Sequence, residues 1–461
     1  MRGILFVSHC YPPSSEVGAI RVARLSRYLP EFGLQPIVLT SETTAAEAKD
    51  NVAMVPGGIQ IERAAQFSSP LQLYAAARNR FRRKSSNGPT SSTSEDASRD
   101  RSSLRVHLLH LLTVPDGDWG WYWPAVRLGK RLIERESIAA IFSDGPPWTS
   151  HLVASRLKSF AGIPWIADYR DAWTFDTWRL QRVPGWRLRL ERRMETRWLA
   201  NADLVTCTTD AIRDGFISQY PALPKSKFVT LTNGFDDSEV LQPNSITKCA
   251  RKILVHSGTL YGDRYRCLES FCRAVGHLVD TGSLDPTAIK VLFLGETNPA
   301  AIAIAQRTVP KLLKEKGIEF RSRVPWQEAQ QVVRLADLLL IFQGDHKLSI
   351  PAKFYEYLQT GKPMLAIAED GALSEMLDHT RSGLHVNPAK PDEVASALLN
   401  SLALPHLLSQ QLENLTVEFH FRNLTRHLAR WFQGLIGDPP DRAAGFLDES
   451  ECPRRVLPQV R

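Results

Sequence analysis

Short apolar runs of strand length alternate with amphipathic stretches of helix length along most of this sequence. At the start, residues 3–8 and 36–40 are apolar runs, and between them residues 19–32 repeat apolar positions three and four apart. Such runs predict buried strands, and such spacing predicts an amphipathic helix. The same order continues with predicted strands at 138–142, 202–207, 228–234, 252–259, 290–295, 318–320, 338–342 and 364–368, and with predicted helices at 149–161, 266–281, 299–316, 326–334 and 391–403.

Strands that alternate with helices predict parallel sheets covered by helices on both faces. The length of 461 residues exceeds one ordinary domain. We therefore predict an α/β fold of two Rossmann-like domains, at residues 1–240 and 250–404, with helices at 405–436 that cross back to the first domain. The polar, Ser-rich residues 82–103 predict a mobile loop within the first domain, and residues 437–461 predict a disordered tail.

Composition narrows the class of protein. Hydrophobic residues make up 43% of the chain, which is enough for two cores, and the net charge of +8 favours anionic partners. These partners are nucleotides or an anionic membrane surface; we expect no nucleic acid, because no zinc-finger, basic-zipper or RNA-binding aromatic motif is present. The six cysteines include no Cys-x-x-Cys pair, so neither zinc nor a disulfide framework is indicated. No apolar run reaches the ~18 residues that span a bilayer, and no signal-peptide pattern opens the chain, so we expect a cytoplasmic protein.

Residues 349–368 contain the side chains best suited to binding a ligand. Ser349 as an N-cap and Pro351 in the first turn predict the start of a short helix. Lys353 and Glu356 lie three apart, as neighbours on its surface. Helix N-termini attract phosphate, and a carboxylate accepts hydrogen bonds from vicinal hydroxyls, so the stretch suits a nucleotide sugar. An ordinary capped surface helix would have the same pattern.

Two segments of the first half carry candidate acceptor residues. Trp119 and Trp121 belong to a loop with four aromatics in five positions, which is typical of a sugar or lipid site and equally of a satellite hydrophobic cluster. Asp168, Arg170 and Asp171 follow a predicted strand, where the carboxyl ends of parallel strands border ligand crevices. Two acids around one Arg would equally form a structural ion pair.

Residues 173–198 form an arginine-rich stretch. Trp186, Leu190, Met194 and Trp198 fall four residues apart and make one apolar stripe. A helix of this kind would lie on an anionic membrane, where each nearby Arg contributes roughly 1 kcal/mol, or would pack its stripe on the sheet.

Several short motifs occur in a fixed order and together span nearly the whole chain. They are Tyr11-Pro-Pro with Gly18, Ala167-Asp-Tyr-Arg-Asp-Ala-Trp173, Asn233-Gly-Phe, Ser257-Gly-Thr-Leu, Ala336-Asp-Leu-Leu-Leu, and Pro351-Ala-Lys-Phe-Tyr-Glu-Tyr-Leu with Gly361-Lys-Pro-Met-Leu. Together they resemble the retaining GT-B glycosyltransferases of the family-4 class, and the second motif is similar to a subgroup among polysaccharide-assembly enzymes. The resemblance implies two Rossmann-like domains that face each other across a cleft, with the acceptor bound by the first and a nucleotide sugar by the second.

The resemblance also implies roles for individual residues. Glu356 matches the Glu that holds the donor ribose, and Arg264 matches a phosphate-binding Lys. Arg264, Lys353 and Asp171 are the predicted catalytic residues. The other predicted donor-binding residues are Gly18, Gly258, Thr259, Val324, Pro325, Ser349, Ile350 and Pro351, and the predicted acceptor residues are Asp168, Arg170, Trp119 and Trp121. Neither a metal nor another cofactor is expected.

Three positions depart from the family pattern. Leu348 stands where the family has the first Glu of its E-x7-E pair, which contacts the donor sugar, and Asp345 is a nearby substitute. Thr259 stands where the family has a phosphate-binding Arg, and Lys353 is predicted to replace that charge. The family's usual His aligns with Arg170.

The resemblance implies a metal-independent, retaining, hexosyl-type glycosyltransferase. It would move a sugar from a UDP- or GDP-linked donor to a lipid-linked or polysaccharide acceptor in cell-surface or exopolysaccharide biosynthesis, in the cytoplasm or on the inner membrane face. Front-face attack, with the leaving phosphate taking the acceptor's proton, needs no separate base. Two alternatives stay open: a nucleotide-sugar hydrolase or epimerase, and a non-catalytic GT-B partner that binds nucleotide sugar or lipid.

Overall fold

A computed structural model describes residues 1–14, 16–42, 56–67, 110–236, 251–296 and 298–437. The predicted loop at 82–103, the predicted tail beyond Gly437 and the whole predicted domain boundary at 240–250 lie outside these ranges. Each described helix is too short or too polar to cross a membrane.

The first half of the chain forms a seven-stranded sheet in which all paired strands run parallel, in the order β3-β2-β1-β4-β5-β6-β7. Its strands are β1 (Arg2–Val7), β2 (Leu34–Ser41), β3 (Gln60–Ala64), β4 (Ile138–Gly145), β5 (Trp165–Tyr169), β6 (Leu204–Cys207) and β7 (Phe228–Thr230). Its helices are α1 (Val17–Tyr28), α2 (Tyr122–Arg135), α3 (Thr149–Ala161), α4 (Thr177–Leu180), α5 (Gly185–Asn201) and α6 (Asp210–Gln219).

The second half repeats this architecture with six parallel strands in the order β10-β9-β8-β11-β12-β13. Its strands are β8 (Lys252–Ser257), β9 (Ile289–Leu294), β10 (Ile318–Arg321), β11 (Leu338–Gly344), β12 (Met364–Ala368) and β13 (Gly383–Val386). Its helices are α7 (Arg264–Asp280), α8 (Pro299–Thr308), α9 (Pro310–Lys314), α10 (Trp326–Leu335), α11 (Ala352–Leu358), α12 (Ala372–Thr380) and α13 (Pro391–Ala403).

Each sheet is buried on both faces, as expected for parallel strands. In β4, the neighbours Ile141 and Phe142 point to opposite faces and are buried in two different clusters of the first domain. The apolar runs therefore predicted strands correctly because each run supplies both faces at once.

The chain returns to the first domain through α14 (Ser409–Phe419) and α15 (Phe421–Ile436). The segment that leaves the first domain and the segment that returns to it run side by side. The Phe235 N–H donates to the Phe419 carbonyl, and the Phe421 N–H donates to the Phe235 carbonyl. Leu428 and Phe432 of α15 are then buried in the cluster that contains the apolar face of α1. The predicted α/β fold with helices that cross back is confirmed.

The strand order reverses at β1/β4 in the first sheet and at β8/β11 in the second. In parallel α/β sheets, ligands bind outside the carboxyl ends of the strands at such reversals. One local prediction is wrong: Ser349 does not cap α11, which begins at Ala352 with Pro351 in the N-cap position and no side-chain cap.

Candidate functional site

Lys353 extends from α11 onto the turn that follows β8. A Cβ placed on Gly258 would collide with its Nζ, and Gly258 has a φ of 140°, which favours glycine. The Nζ atom is buried and has no hydrogen-bond partner within the described ranges. Because a buried, unpaired polar group is costly, this amine marks a place where an anion would be stabilised.

Arg264, the first residue of α7, stands beside Lys353. Its Nη1 donates to the Thr259 carbonyl at 3.0 Å, and the guanidinium lies 4.4 Å from the centroid of the Tyr261 ring. Burial lowers the pKa of Lys353 to about 7; the Arg264 charge lowers that pKa as well, and Glu356 opposes both. Two predicted catalytic cations therefore meet around Gly258 and Thr259.

His256 is buried next to Gly258, close to the two cations. Its Nδ1 faces the Leu340 carbonyl at 3.0 Å, and its Nε2 is buried without a partner among the described residues. Burial, followed by the Lys353 charge, lowers the pKa of His256 well below its ordinary value. The imidazole is therefore neutral near pH 7, and the positive charge of the site comes from Lys353 and Arg264.

Glu356 lies one turn beyond Lys353 and is mostly buried. One carboxylate oxygen accepts a hydrogen bond from Gln330 Nε2 at 3.1 Å, and the other lies 3.7 Å from Arg24 Nη2 on α1. Gln330 belongs to α10, which starts directly after Val324 and Pro325. The structure thus brings Glu356, the predicted ribose contact, and the predicted donor-binding residues Val324 and Pro325 to one edge of the second sheet, facing the first domain.

The predicted donor-binding residues Ser349, Ile350 and Pro351 lead into α11, and the Ile350 side chain is buried in the core of the second domain. With only seven residues, α11 offers a weak dipole at its N-terminus. We therefore assign the positive charge of the site to side chains rather than to the helix.

Gly18 lies in the first turn of α1, where a Cβ would collide with the guanidinium of Arg170. Arg170 Nε in turn lies 3.2 Å from Asp144 Oδ2, a buried carboxylate at the end of β4. Desolvation raises the pKa of Asp144 to about 6, against the lowering effect of Arg170. Because Gly18 has no Cβ, the Arg170 guanidinium can occupy the space beside it.

Asp171 lies in the cleft. The residue is exposed, and desolvation nevertheless raises the pKa of its carboxyl, while the neighbouring Arg170 charge lowers that pKa. The second domain also acts on this group, because His346 lowers the Asp171 pKa from across the cleft. The His346 ring lies 5.4 Å from the ring of Trp178 in the first domain.

Asp168 is buried, and both of its carboxylate oxygens bind Arg21 of α1 at 2.9 Å. Thr206 Oγ1 donates to the same carboxylate at 2.6 Å. Arg21 also donates to the carbonyls of Leu231 and Thr232, which ties α1 to the end of the first domain. The geometry corresponds to the structural ion pair, and we do not propose an acceptor contact for Asp168.

The two predicted acceptor tryptophans are held inside the first domain. Trp121 is completely buried in the core and meets His9 edge-on, with ring centroids 5.4 Å apart. Trp119 is partly buried, and its Nε1 donates to the Leu112 carbonyl at 2.7 Å. Trp121 therefore corresponds to the hydrophobic cluster, and Trp123, in the first turn of α2, is an exposed aromatic of this stretch.

Leu348 forms a contact between the two domains. Its side chain packs against the core of the first domain, and its carbonyl accepts a hydrogen bond from Thr209 Oγ1 at 2.6 Å. The residue in place of the family's sugar-binding Glu thus holds the domains together here.

The arginine-rich helix α5 belongs to the first domain's core. Trp198 is buried there and Met194 packs against it. Arg187 is also buried, and its Nε donates to the buried Glu191 at 2.7 Å. The C-terminal half of the apolar stripe, Met194 and Trp198, therefore packs in the first domain, whereas Trp186 and Leu190 are half-buried.

Arg24, Gln330, His346 and Thr209 were not predicted as site residues. All four come close to the site only through the fold. Within the described ranges, no group of three or more His, Cys, Asp or Glu side chains is arranged to hold a metal ion.

Comparison with known families agrees with this geometry. Residues 88–239 match the model of glycosyltransferase family 4, and residues 251–403 match the model of glycosyl transferases group 1. The chain carries the two domains of a family-4-like GT-B glycosyltransferase. Among curated proteins, none is similar enough in sequence to count as a relative.

Solved structures share the fold of this glycosyltransferase at low sequence identity. A glycosyltransferase from Rickettsia africae superposes with a TM-score of 0.60 at 12% identity, over 95% of this chain and 99% of that one. Sucrose-phosphate synthase from Thermosynechococcus elongatus has a TM-score of 0.61 at 15% identity, over 94% and 99%. HepE of Anabaena, in complex with UDP and glucose, has a TM-score of 0.58 at 13% identity, over 93% and 98%.

Proposed function

We propose that this protein is a retaining, metal-independent glycosyltransferase that uses a nucleotide-sugar donor. Its acceptor is lipid-linked or a polysaccharide, in cell-surface polysaccharide assembly, and it works in the cytoplasm at the inner membrane face. The family matches support transfer chemistry, and the UDP bound by HepE supports a nucleotide donor in this fold.

One observation carries the proposal: the Lys353 amine is buried beside Arg264 and has no partner among the described residues. The donor's diphosphate, placed over Gly258, would supply the missing partner. Glu356, at the same edge, would accept hydrogen bonds from the ribose hydroxyls.

In the reaction, the bond between the anomeric carbon and the diphosphate oxygen breaks as the acceptor oxygen bonds to that carbon. Negative charge develops on the departing diphosphate, and preorganised cations stabilise it more than they stabilise the intact donor. The acceptor's proton passes to the leaving phosphate. Lys353 and Arg264 lie where that charge would develop, and Asp171 faces the cleft where the acceptor would enter.

A donor screen that measures released nucleoside diphosphate, with and without membrane extract, tests the proposal. We expect acceptor-dependent release from one nucleotide sugar, and we expect Lys353→Met to lower turnover about one hundredfold or more, the effect of removing one transition-state contact. Lys314→Met, at an exposed position on α9, is the matched control. Full activity of Lys353→Met would overturn the assignment of the phosphate site.

A non-catalytic GT-B partner is the second candidate, and Leu348 favours it. The position that contacts donor sugar in the family makes an interdomain contact here. Donor binding without release would identify this function, and release that does not depend on acceptor would identify a hydrolase.

A further inference from the structure

We propose that the outer surface of α2 and α3 docks the protein on an anionic bilayer. This surface is distinct from the arginine-rich helix α5, whose Met194 and Trp198 pack in the core of the first domain. The inference does not depend on the transfer chemistry, because it concerns the opposite side of these helices from the core.

Four residues of α2 share its solvent face. Trp123, Arg127, Lys130 and Arg131 are spaced by four, three and one positions, which places them along one side of a helix. The Trp123 side chain is 59% exposed, an unusual state for an indole on a protein surface.

The neighbouring helix α3 extends the same surface. Phe160 is 44% exposed, and Lys130 Nζ lies 4.5 Å above the centroid of its ring. Arg156 lies one turn before Phe160 and is exposed as well. The two helices therefore present two aromatic rings and four cations side by side.

The cations of this surface have no acidic partners. Arg127, Lys130, Arg131 and Arg156 form no ion pair with any residue in the described ranges, whereas Arg135 at the end of α2 pairs with Glu62 and Glu136. Glu134 is the acidic residue on the same face of α2, which leaves the surface with an excess of three positive charges. Such an excess complements anionic lipid headgroups.

The aromatic residues favour a bilayer over a soluble acidic partner. Trp side chains are enriched at membrane interfaces, because the ring enters the apolar boundary while its N–H stays near water. Lys and Arg near such rings keep their charge at the headgroup level. A surface of this composition lies on a membrane, and it does not enter one.

Docking through this surface would bring the cleft near the membrane. Trp123 stands in the first turn of α2, two residues after Trp121, whose ring contacts His9 in the loop that follows β1. This is the carboxyl edge of the first sheet, where the acceptor is expected. A lipid-linked acceptor would then reach the cleft without leaving the bilayer.

Sedimentation of the full chain with vesicles of equal parts phosphatidylcholine and phosphatidylglycerol tests the proposal. Arg127→Gln/Lys130→Gln/Arg131→Gln is expected to weaken partitioning by about one hundredfold, since each cation contributes roughly fivefold. Trp123→Ser/Phe160→Ser is expected to weaken it by about tenfold. The matched control, Lys311→Gln/Lys314→Gln/Arg323→Gln, removes the same charge from the second domain and is expected to bind like the wild type.

A further variant separates this surface from α5. Arg189→Gln/Arg193→Gln/Arg197→Gln removes three exposed cations from that helix. If it abolishes binding while the α2 variant binds normally, the proposal is overturned in favour of α5. Equal binding to pure phosphatidylcholine vesicles, no binding of the wild type, or binding of duplex DNA in place of vesicles would each overturn it as well. Donor turnover does not enter this measurement, so the outcome is independent of the proposed transfer chemistry and bears only on the proposed location at the membrane.

Discussion

At the level of single residues, the candidate donor site is organised around two neighbouring cations with different chemical properties. The Arg264 guanidinium is a planar fork of donors, and it is held by the Thr259 carbonyl. Lys353 is a buried amine whose pKa is lowered to about 7. The charge of the site therefore changes close to neutral pH.

Donor affinity is expected to depend on pH through Lys353. A bound diphosphate favours the protonated amine and raises its pKa, so this contribution is full below about pH 7 and declines as the pH rises above that value. Calorimetry with UDP-glucose and GDP-mannose measures it, with a fall of up to about tenfold per pH unit. Lys353→Arg, which stays charged, should give a flat profile. A wild-type profile that is flat from pH 6 to 9 would contradict the prediction.

Glu356→Gln is expected to weaken donor binding by about 1–3 kcal/mol, through loss of a charged hydrogen bond to the ribose. The variant keeps the side-chain size and its contact with Gln330. Titration with the same two nucleotide sugars gives the value, with exposed Glu413→Gln as the control. An unchanged donor affinity would remove Glu356 from the site.

At the level of elements, α5 shows how charge and burial combine in one helix. Met194 and Trp198 of its apolar stripe pack in the core, and Glu191 is buried between Arg187 on the same helix and Arg179 on α4. The Arg-rich composition gives no hint that one carboxylate binds two of these guanidinium groups. Only the packing of α4 against α5 brings Arg179 to the Glu191 carboxylate.

Glu191→Gln should destabilise the first domain by about 3–5 kcal/mol, because it leaves two partly or fully buried arginines without their carboxylate. Urea unfolding followed by tryptophan fluorescence measures the loss. Glu134→Gln, on the exposed face of α2, is the control and should be nearly neutral. Equal stability of the two variants would show that the ion pairs contribute little.

At the level of the whole molecule, the two domains touch at several points around the cleft. These include Thr209 with Leu348, Trp178 with His346, and Arg24 with Glu356. The last contact links α1 directly to the predicted ribose site. Domain closure is therefore coupled to the groups that would bind the donor, and closure would exclude water from the transfer step.

Leu348→Ala should shift the free protein towards an open arrangement, since it removes the apolar contact with the first domain. Small-angle scattering is expected to give a larger radius of gyration, and donor KM should rise. Leu399→Ala, at an exposed position on α13, is the control. A scattering curve identical to that of the wild type would mean that Leu348 does not hold the domains together.

The sequence by itself determined the class of fold, because runs such as 138–142 and 252–259 must bury both faces in a parallel sheet. It also marked Lys353, Glu356 and Arg264 through local spacing and resemblance. Only the tertiary structure decided that Asp168 binds Arg21, that Trp121 is core, and that Leu348 joins the domains. These contacts join residues that are far apart in the chain. Local periodicity carries no information about which distant group binds a given carboxylate or packs against a given ring.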